Sequence, residues 1–276
     1  MPSLFSACSG YSTAFVRSLS VSVMAFGLSY PLTAVAAVQQ ADDKASSSVW
    51  GLGVVVLTSQ KAYTDIDRNN TVIPVLTFEN RYIRLLGPEL EFRLPGIEIN
   101  EFHKFNFSIV TKYDFNDYEQ DDAWILNGME ERKGGFWAGA KAEWQNNYAN
   151  ISAEFISEVS GDSEGSRFNL GLERTWRFGA RFTLTPRIVV SWLDKKYVDY
   201  YYGVRENEVR NDRSFYQGES AVSTEIGIRG GYMFNKKHLI LLDIGVSSLA
   251  SAIKDSPLVD SSTENRVFLG YIYYFR

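Results

Sequence analysis

From residue 49 onward the chain is a succession of stretches in which apolar and polar residues alternate, and the gaps between those stretches follow a rhythm of their own. Period-two alternation is the mark of a strand with two different faces. Twelve such strands are expected, near 49–58, 72–79, 81–86, 89–95, 103–113, 135–145, 148–158, 166–177, 181–193, 216–234, 238–249 and 265–275. The third and fourth, parted only by Gly87-Pro88, can also be read as one bent strand. Gaps after even-numbered strands are short: 80, 95–101, 145–147, 178–180 and 235–237. Gaps after odd-numbered strands are longer apart from Gly87-Pro88: 59–71, 114–134, 159–165, 194–215 and 250–264. A soluble sandwich needs the alternation but not the rhythm. Short turns at the end holding both termini, and long loops at the other, describe an outer-membrane barrel. An even strand count lets first and last strands pair and leaves no edge. The expected fold class is therefore all-β, a transmembrane antiparallel β-barrel of the outer-membrane type with about twelve strands.

The faces assign lipid and lumen. Ile240, Leu242, Ile244 and Val246 alternate with Asp243, Gly245 and Ser247, and Phe182, Leu184, Ile188, Val190 and Trp192 alternate with Arg181, Thr183, Thr185, Arg187 and Ser191. The apolar set is expected to meet lipid. Expected lumen-facing charges include Arg181, Arg187, Glu225, Arg229 and Asp243, together with Arg93, Lys104, Lys112, Lys141, Arg167 and Arg266 against Glu89, Glu91, Glu143, Glu154 and Glu173. The two signs nearly balance, whereas an ion-selective constriction shows an excess of one. Mixed charges can bridge across such a lumen and leave a narrow aqueous path. The last strand carries Tyr271, Tyr273 and Phe275 on one face, the alternate-aromatic ending expected of an assembly signal, with Arg276 one residue beyond it.

Mean hydropathy is −0.18, too polar for a bundle of membrane helices. A barrel has no such requirement, because only alternate residues meet lipid. The first 36 residues read as an export signal: Arg17, an apolar stretch over 19–30, then Ala34-Val35-Ala36 as a small-x-small cleavage site. Residues 37–48 are a polar, flexible leader, and 49–276 the barrel. Cys8, the only cysteine, lies in the signal, so disulfides and cysteine-ligated metal are excluded from the mature chain. A formal net charge of −5 offers nothing to nucleic acid.

Four segments together resemble the MipA/OmpV family of outer-membrane proteins, which includes the MltA-interacting scaffold protein: WGLGVVV at 50–56, YVDYYYGV at 197–204, DSPLV at 255–259 and LGYIYYF at 269–275. The acidic, aromatic loop 114–134 and Arg276 depart from it. The resemblance implies a barrel in the outer membrane of a Gram-negative cell, with members described as scaffolds joining a lytic transglycosylase to a penicillin-binding synthase, or as pores and adhesins. It brings no shared catalytic residues.

Barrel enzymes use histidine or carboxylates at the external rim. His103 and His238 belong to the short-turn end instead, where a solvated turn histidine is expected. Asp121, Asp122, Glu130 and Glu131 read as solvated loop surface, with a carboxylate-only hydrolase or a calcium or magnesium site as the alternatives. Tyr200, Tyr201 and Tyr202 read as an interfacial aromatic belt, or as a sugar-stacking platform. The reading is a non-enzymatic barrel without cofactor, in contact with outer-membrane lipid and lipopolysaccharide, serving as scaffold for a periplasmic murein hydrolase or synthase. The alternatives are a narrow porin-like channel for small polar solutes and, more remotely, a rim hydrolase.

Overall fold

The computed structural model describes residues 48–100 and 102–275. The expected signal peptide, the leader up to residue 47 and Arg276 lie outside them. Thirteen strand segments form one antiparallel sheet: β1 (Val49–Gln60), β2 (Asn69–Glu79), β3 (Ile83–Leu86), β4 (Glu89–Asn100), β5 (His103–Asp114), β6 (Gly135–Gln145), β7 (Asn150–Glu158), β8 (Ser166–Glu173), β9 (Trp176–Phe178), β10 (Phe182–Leu193), β11 (Ala221–Asn235), β12 (His238–Ser248) and β13 (Thr263–Phe275). Consecutive segments pair throughout except β8 and β9, which both pair with β10, and β13 returns to pair with β1 from Trp50↔Phe275 to Gln60↔Asn265, which closes the barrel.

β8 and β9 are one stave. Both lie along β10 in a single register, Glu173↔Arg187 and Trp176↔Leu184. The interruption falls opposite Pro186: Arg174 N–H donates to its carbonyl at 3.2 Å, and proline has no N–H to return. The barrel therefore has twelve staves. β3 and β4 are separate strands joined at Gly87-Pro88, since Ile83↔Phe92 through Leu86↔Glu89 pair antiparallel. Residues 95–101, expected as a turn, instead largely continue β4 to Asn100, the irregularities between Leu94 and Ile97 and between Glu98 and Asn100 accommodating Pro95. The loop after β10 holds a helix, α1 (Lys195–Tyr202), so β11 starts at Ala221 rather than near 216. A single turn, α2 (Ser251–Lys254), lies in the loop before β13.

Among the described residues no helix is long and apolar enough to cross a membrane, and the strands do the crossing. The two faces divide cleanly. On β12, Leu242 and Val246 are 42% and 47% exposed, while Leu241 and Asp243, which flank Leu242, are 3% and 6%. An isolated barrel exposes its lipid face in this way, and the residues that would form a soluble core are the outward ones. The last strand follows the same rule: Leu269, Tyr271 and Phe275 are outward, Ile272 and Tyr274 buried.

Depth along one face is testable. Leu242 stands mid-strand and Ser248 at the rim of the same outward face. Leu242→Arg is expected to cost about 2–4 kcal/mol and Ser248→Arg about 0–1 kcal/mol, read by urea titration of the heat-modifiable barrel in lipid vesicles.

Candidate functional site: a charged lumen under a tyrosine-rich plug

A twelve-stave barrel is wider than the eight-stranded type that side chains fill unaided. Here long charged side chains span it. Arg187 on β10 reaches across β11 to β12: Nη1 donates to Asp243 Oδ2 at 2.7 Å and Nη2 to Asp243 Oδ1 at 2.8 Å, a bidentate pair. Its Nη2 also donates to Glu225 Oε1 at 2.9 Å. The route exists because Gly227 lies between; a Cβ there would stand 2.5 Å from the Arg187 guanidinium carbon. Arg229 Nε joins Asp243 at 3.1 Å, and Arg266 Nη2 joins Glu225 at 2.8 Å. On the opposite wall Lys141 bridges Glu91 and Glu143, both at 3.0 Å, Arg84 meets Glu91 at 3.2 Å, and Lys112 meets Glu154 at 2.9 Å. Ions this buried are held in place only because each has partners, so the lattice fixes geometry more than it adds stability.

The long-loop end is closed by a second layer of different chemistry. Asp194 accepts the Tyr197 N–H at 2.8 Å and so caps α1; Gly203 N–H to Asp199 C=O at 2.9 Å ends it. Tyr197, Val198, Tyr201 and Tyr202 fall at one-four-five spacing and form the buried face. They pack with Tyr63, Tyr118, Leu126, Ile253 and Leu258 from the other loops and with Trp137 and Ile156 from strand ends. The hydroxyls are placed: Tyr63 donates to Tyr201 C=O at 2.9 Å, Tyr201 to Lys133 C=O at 3.1 Å, and Tyr197 accepts from Asn116 Nδ2 at 3.1 Å. Arg167 sits over Trp137 at 4.0 Å and pairs with Asp114 at 2.6 Å, joining plug to barrel.

Two loops are locked together through Glu208. Arg132 Nη2 donates to both its carboxylate oxygens at 2.9 Å, with both side chains only 1% exposed. Arg213 Nε donates to the Glu208 carbonyl at 2.9 Å. Burial alone would raise the Glu208 carboxyl, but the N–H groups of Arg205 and Glu130 and the Arg132 guanidinium outweigh it and hold it below the usual range. Nearby, burial pushes Asp117 up to about 6, partly opposed by Lys61, and burial pulls Lys61 down.

The residues singled out from the sequence distribute unevenly over this arrangement. Arg187, Glu225, Arg229 and Asp243 meet in the lattice. Arg181 lies exposed in the turn before β10, in phase with the inward face but beyond the lumen. Tyr271, Tyr273 and Phe275 point outward near the short-turn end, where the His238 ring packs against Tyr271 and edge-on to Tyr273, and Tyr273 edge-on to Phe275. His238 Nδ1 lies 2.6 Å from the Tyr271 hydroxyl, and His103 Nδ1 accepts from Trp144 Nε1 at 3.2 Å, so neither faces a carboxylate-hydroxyl pair. Asp122 accepts the Glu119 N–H at 2.9 Å within its own turn, and Glu130 pairs with Arg205. Among the described residues no three such ligands converge. The tyrosine triad corrects the sequence reading. Tyr201 and Tyr202 are each 1% exposed inside the plug, neither belt nor platform, because α1 turns them inward. Arg132, Glu208 and Arg213 are not legible as a unit, being distant in sequence; α1, which falls in the segment expected as the loop 194–215, does carry a signal in Asp194 and the spacing after it.

A family profile described as MltA-interacting protein MipA matches residues 51–275, the whole barrel. The chain belongs to the MipA family. MipA-family relatives include a putative outer membrane protein YiaT of Escherichia coli K12, 24% identical over 78% of this chain and 87% of its own. The MltA-interacting protein of the same organism is 23% identical over 82% and 88%, and OmpV of Vibrio cholerae 26% identical over 57% and 61%. Among solved structures an outer membrane channel from Pseudomonas putida F1 is similar over 85% of this chain and 97% of its own, with 8% identity and a TM-score of 0.41. This MipA-family chain is an outer-membrane β-barrel.

Removing one lattice ion leaves the others buried without it. Arg187→Met is expected to destabilise the barrel by about 3–5 kcal/mol, and adding Asp243→Asn to recover part of that loss, measured by urea unfolding in vesicles. Additive losses would show that the two do not act as a pair.

Proposed function

We propose that the barrel is a non-enzymatic anchor that holds a periplasmic murein enzyme at the outer membrane. The observation that carries this reading is a ribbon at the short-turn end, the periplasmic end by the rule that barrel turns there are short. Beyond Arg93, β4 pairs with β5 alone, and from Leu94 to Asn100 both its faces are exposed. That stretch and its turn present Leu94, Ile97, Ile99 and Phe102, at 47–65% exposure. Wall residues expose only one face, so this segment has left the barrel wall. Apolar side chains on a free strand suit docking of a protein partner. Pro95 and the irregularities beside it blunt the backbone edge, which favours recognition through side chains over strand addition.

The MltA-interacting name of one relative fits a murein enzyme as that partner. A channel for small polar solutes is less well served, since ion pairs bridge the lumen and the plug closes the long-loop end. The outward Tyr271, Tyr273 and Phe275 are, in this reading, what the assembly machinery recognises.

A photo-crosslinking amino acid at Ile99, in intact cells, is expected to capture a periplasmic murein hydrolase or synthase. The same probe at Trp124, on an external loop, is expected not to. Adducts from Ile99 confined to lipid or lipopolysaccharide would contradict the proposal.

A further inference from the structure

The barrel wall has a notch. The β2–β3 ladder covers only Thr77–Glu79 and is capped by Gly87 N–H to Leu76 C=O at 3.0 Å. Among the described residues, β2 from Asn69 to Val75 ladders with β1 alone, roughly 20 Å of strand at about 3.3 Å per residue. The β3–β4 hairpin stops short because Gly87, at φ 54, makes a tight turn directly to Pro88. Leu76 turns its carbonyl toward β3, so Pro74, two residues along, faces the same way. Its ring stands where a ladder N–H would otherwise be left without a partner. A proline on the open side of the strand fits a gap that is part of the design. The lip is apolar, with Val72 and Leu76 exposed on the lipid face at 64% and 44%.

Inside the notch is an open cleft, about 580 Å³ when the space open to solvent is counted. Val75, Leu86, Gly87 and Pro88 form its mouth; Val55, Phe268 and Ile272 form its back. Arg229 and Asp243, paired at 3.1 Å, also line it. An apolar cleft with a few convergent polar groups has the form of a small-molecule site. Val75 on one side of the notch and Leu86, Gly87 and Pro88 on the other place this lining beside the gap in the wall.

We infer that this cavity binds a neutral single-chain amphiphile admitted sideways from the membrane through the notch between β2 and the β3–β4 hairpin. The tail lies along Val55, Val75, Leu86 and Phe268. The head takes a hydrogen bond at the Arg229–Asp243 pair. A neutral head is required by the charge balance there: Asp243 already holds Arg187 through two hydrogen bonds as well as Arg229, and an anion or cation would have to break that set.

The test uses the intact barrel in lipid nanodiscs and a long-chain alcohol carrying a diazirine. After irradiation, peptide mapping is expected to find label on Leu86, Phe268 or Ile272, displaced by excess unlabelled alcohol. Filling the cavity with Val75→Trp, or independently with Leu86→Trp, is expected to cut that label at least tenfold. Leu76→Trp, next along the strand but facing lipid, is expected to leave it unchanged. Heat-modifiability identifies the variants that fold. Label confined to outward residues such as Leu76 and Leu269, or inward label unaffected by both fillings, would overturn the inference. So would equal labelling of the cavity by a water-soluble diazirine, which would show that it fills from water.

Discussion

Every backbone N–H and C=O that meets hydrocarbon must find its partner within the chain, and the ladder between β1 and β13 supplies the last set. The remaining features of the architecture depend on that closure. It requires an even number of staves, which is why β8 and β9 serve as one across the break at Pro186. It places both ends of the described barrel on the short-turn side, Trp50 opposite Phe275. It turns the soluble pattern inside out, with Leu242 and Val246 outside and Asp243 within. The notch beside β2 is the informative exception, and the missing N–H of Pro74 fits it.

Closing twelve staves creates an interior too wide for aliphatic side chains to fill, and the chain meets this in two layers. At mid-height, arginine, lysine and carboxylates reach across the lumen, with Gly227 clearing the way for Arg187. At the long-loop end, an apolar tyrosine cluster is drawn in on α1 and tied down by Arg132, Glu208 and Arg213. The first layer is specified by charge complementarity, the second by burial of aromatic surface. Between the layers and the wall remains the cavity under the notch, bounded by Val55, Val75 and Phe268. The apolar ribbon past Arg93 lies at the other end of the molecule from the plug. The membrane-facing cavity and the partner-facing ribbon are thus separate features.

Sequence made the barrel legible because period-two alternation and loop rhythm are local signals that closure preserves. The β12 faces and the final aromatic alternation stand as the pattern implies. Boundaries shifted where loops took residues from strands: 216–220 serve the plug, with Tyr216 bridging Val204 and Gly218 N–H donating to Asp199. Tyrosine and valine are strand formers by propensity, which hid α1, although Asp194 and the inward spacing of Tyr197, Tyr201 and Tyr202 announce a capped helix. Arg181 was in phase with the lumen but past the end of its strand, and phase alone does not report depth. The pairing of Arg132 with Glu208 depends on how two loops fold over the mouth, for which no local pattern exists.

Closure itself can be measured directly. Val56 and Leu269 are register partners across the β1–β13 seam, and both face outward. With Cys8 outside the described barrel, cysteines introduced at these two positions can be oxidised or bridged by a short bis-thiol reagent. An internal cross-link is expected, seen as a compact loop on denaturing gels without reductant and formed only in the heat-modifiable barrel. Cross-links running between molecules, or none at all, would mean that β1 and β13 are open edges, and the closed barrel described here would be wrong.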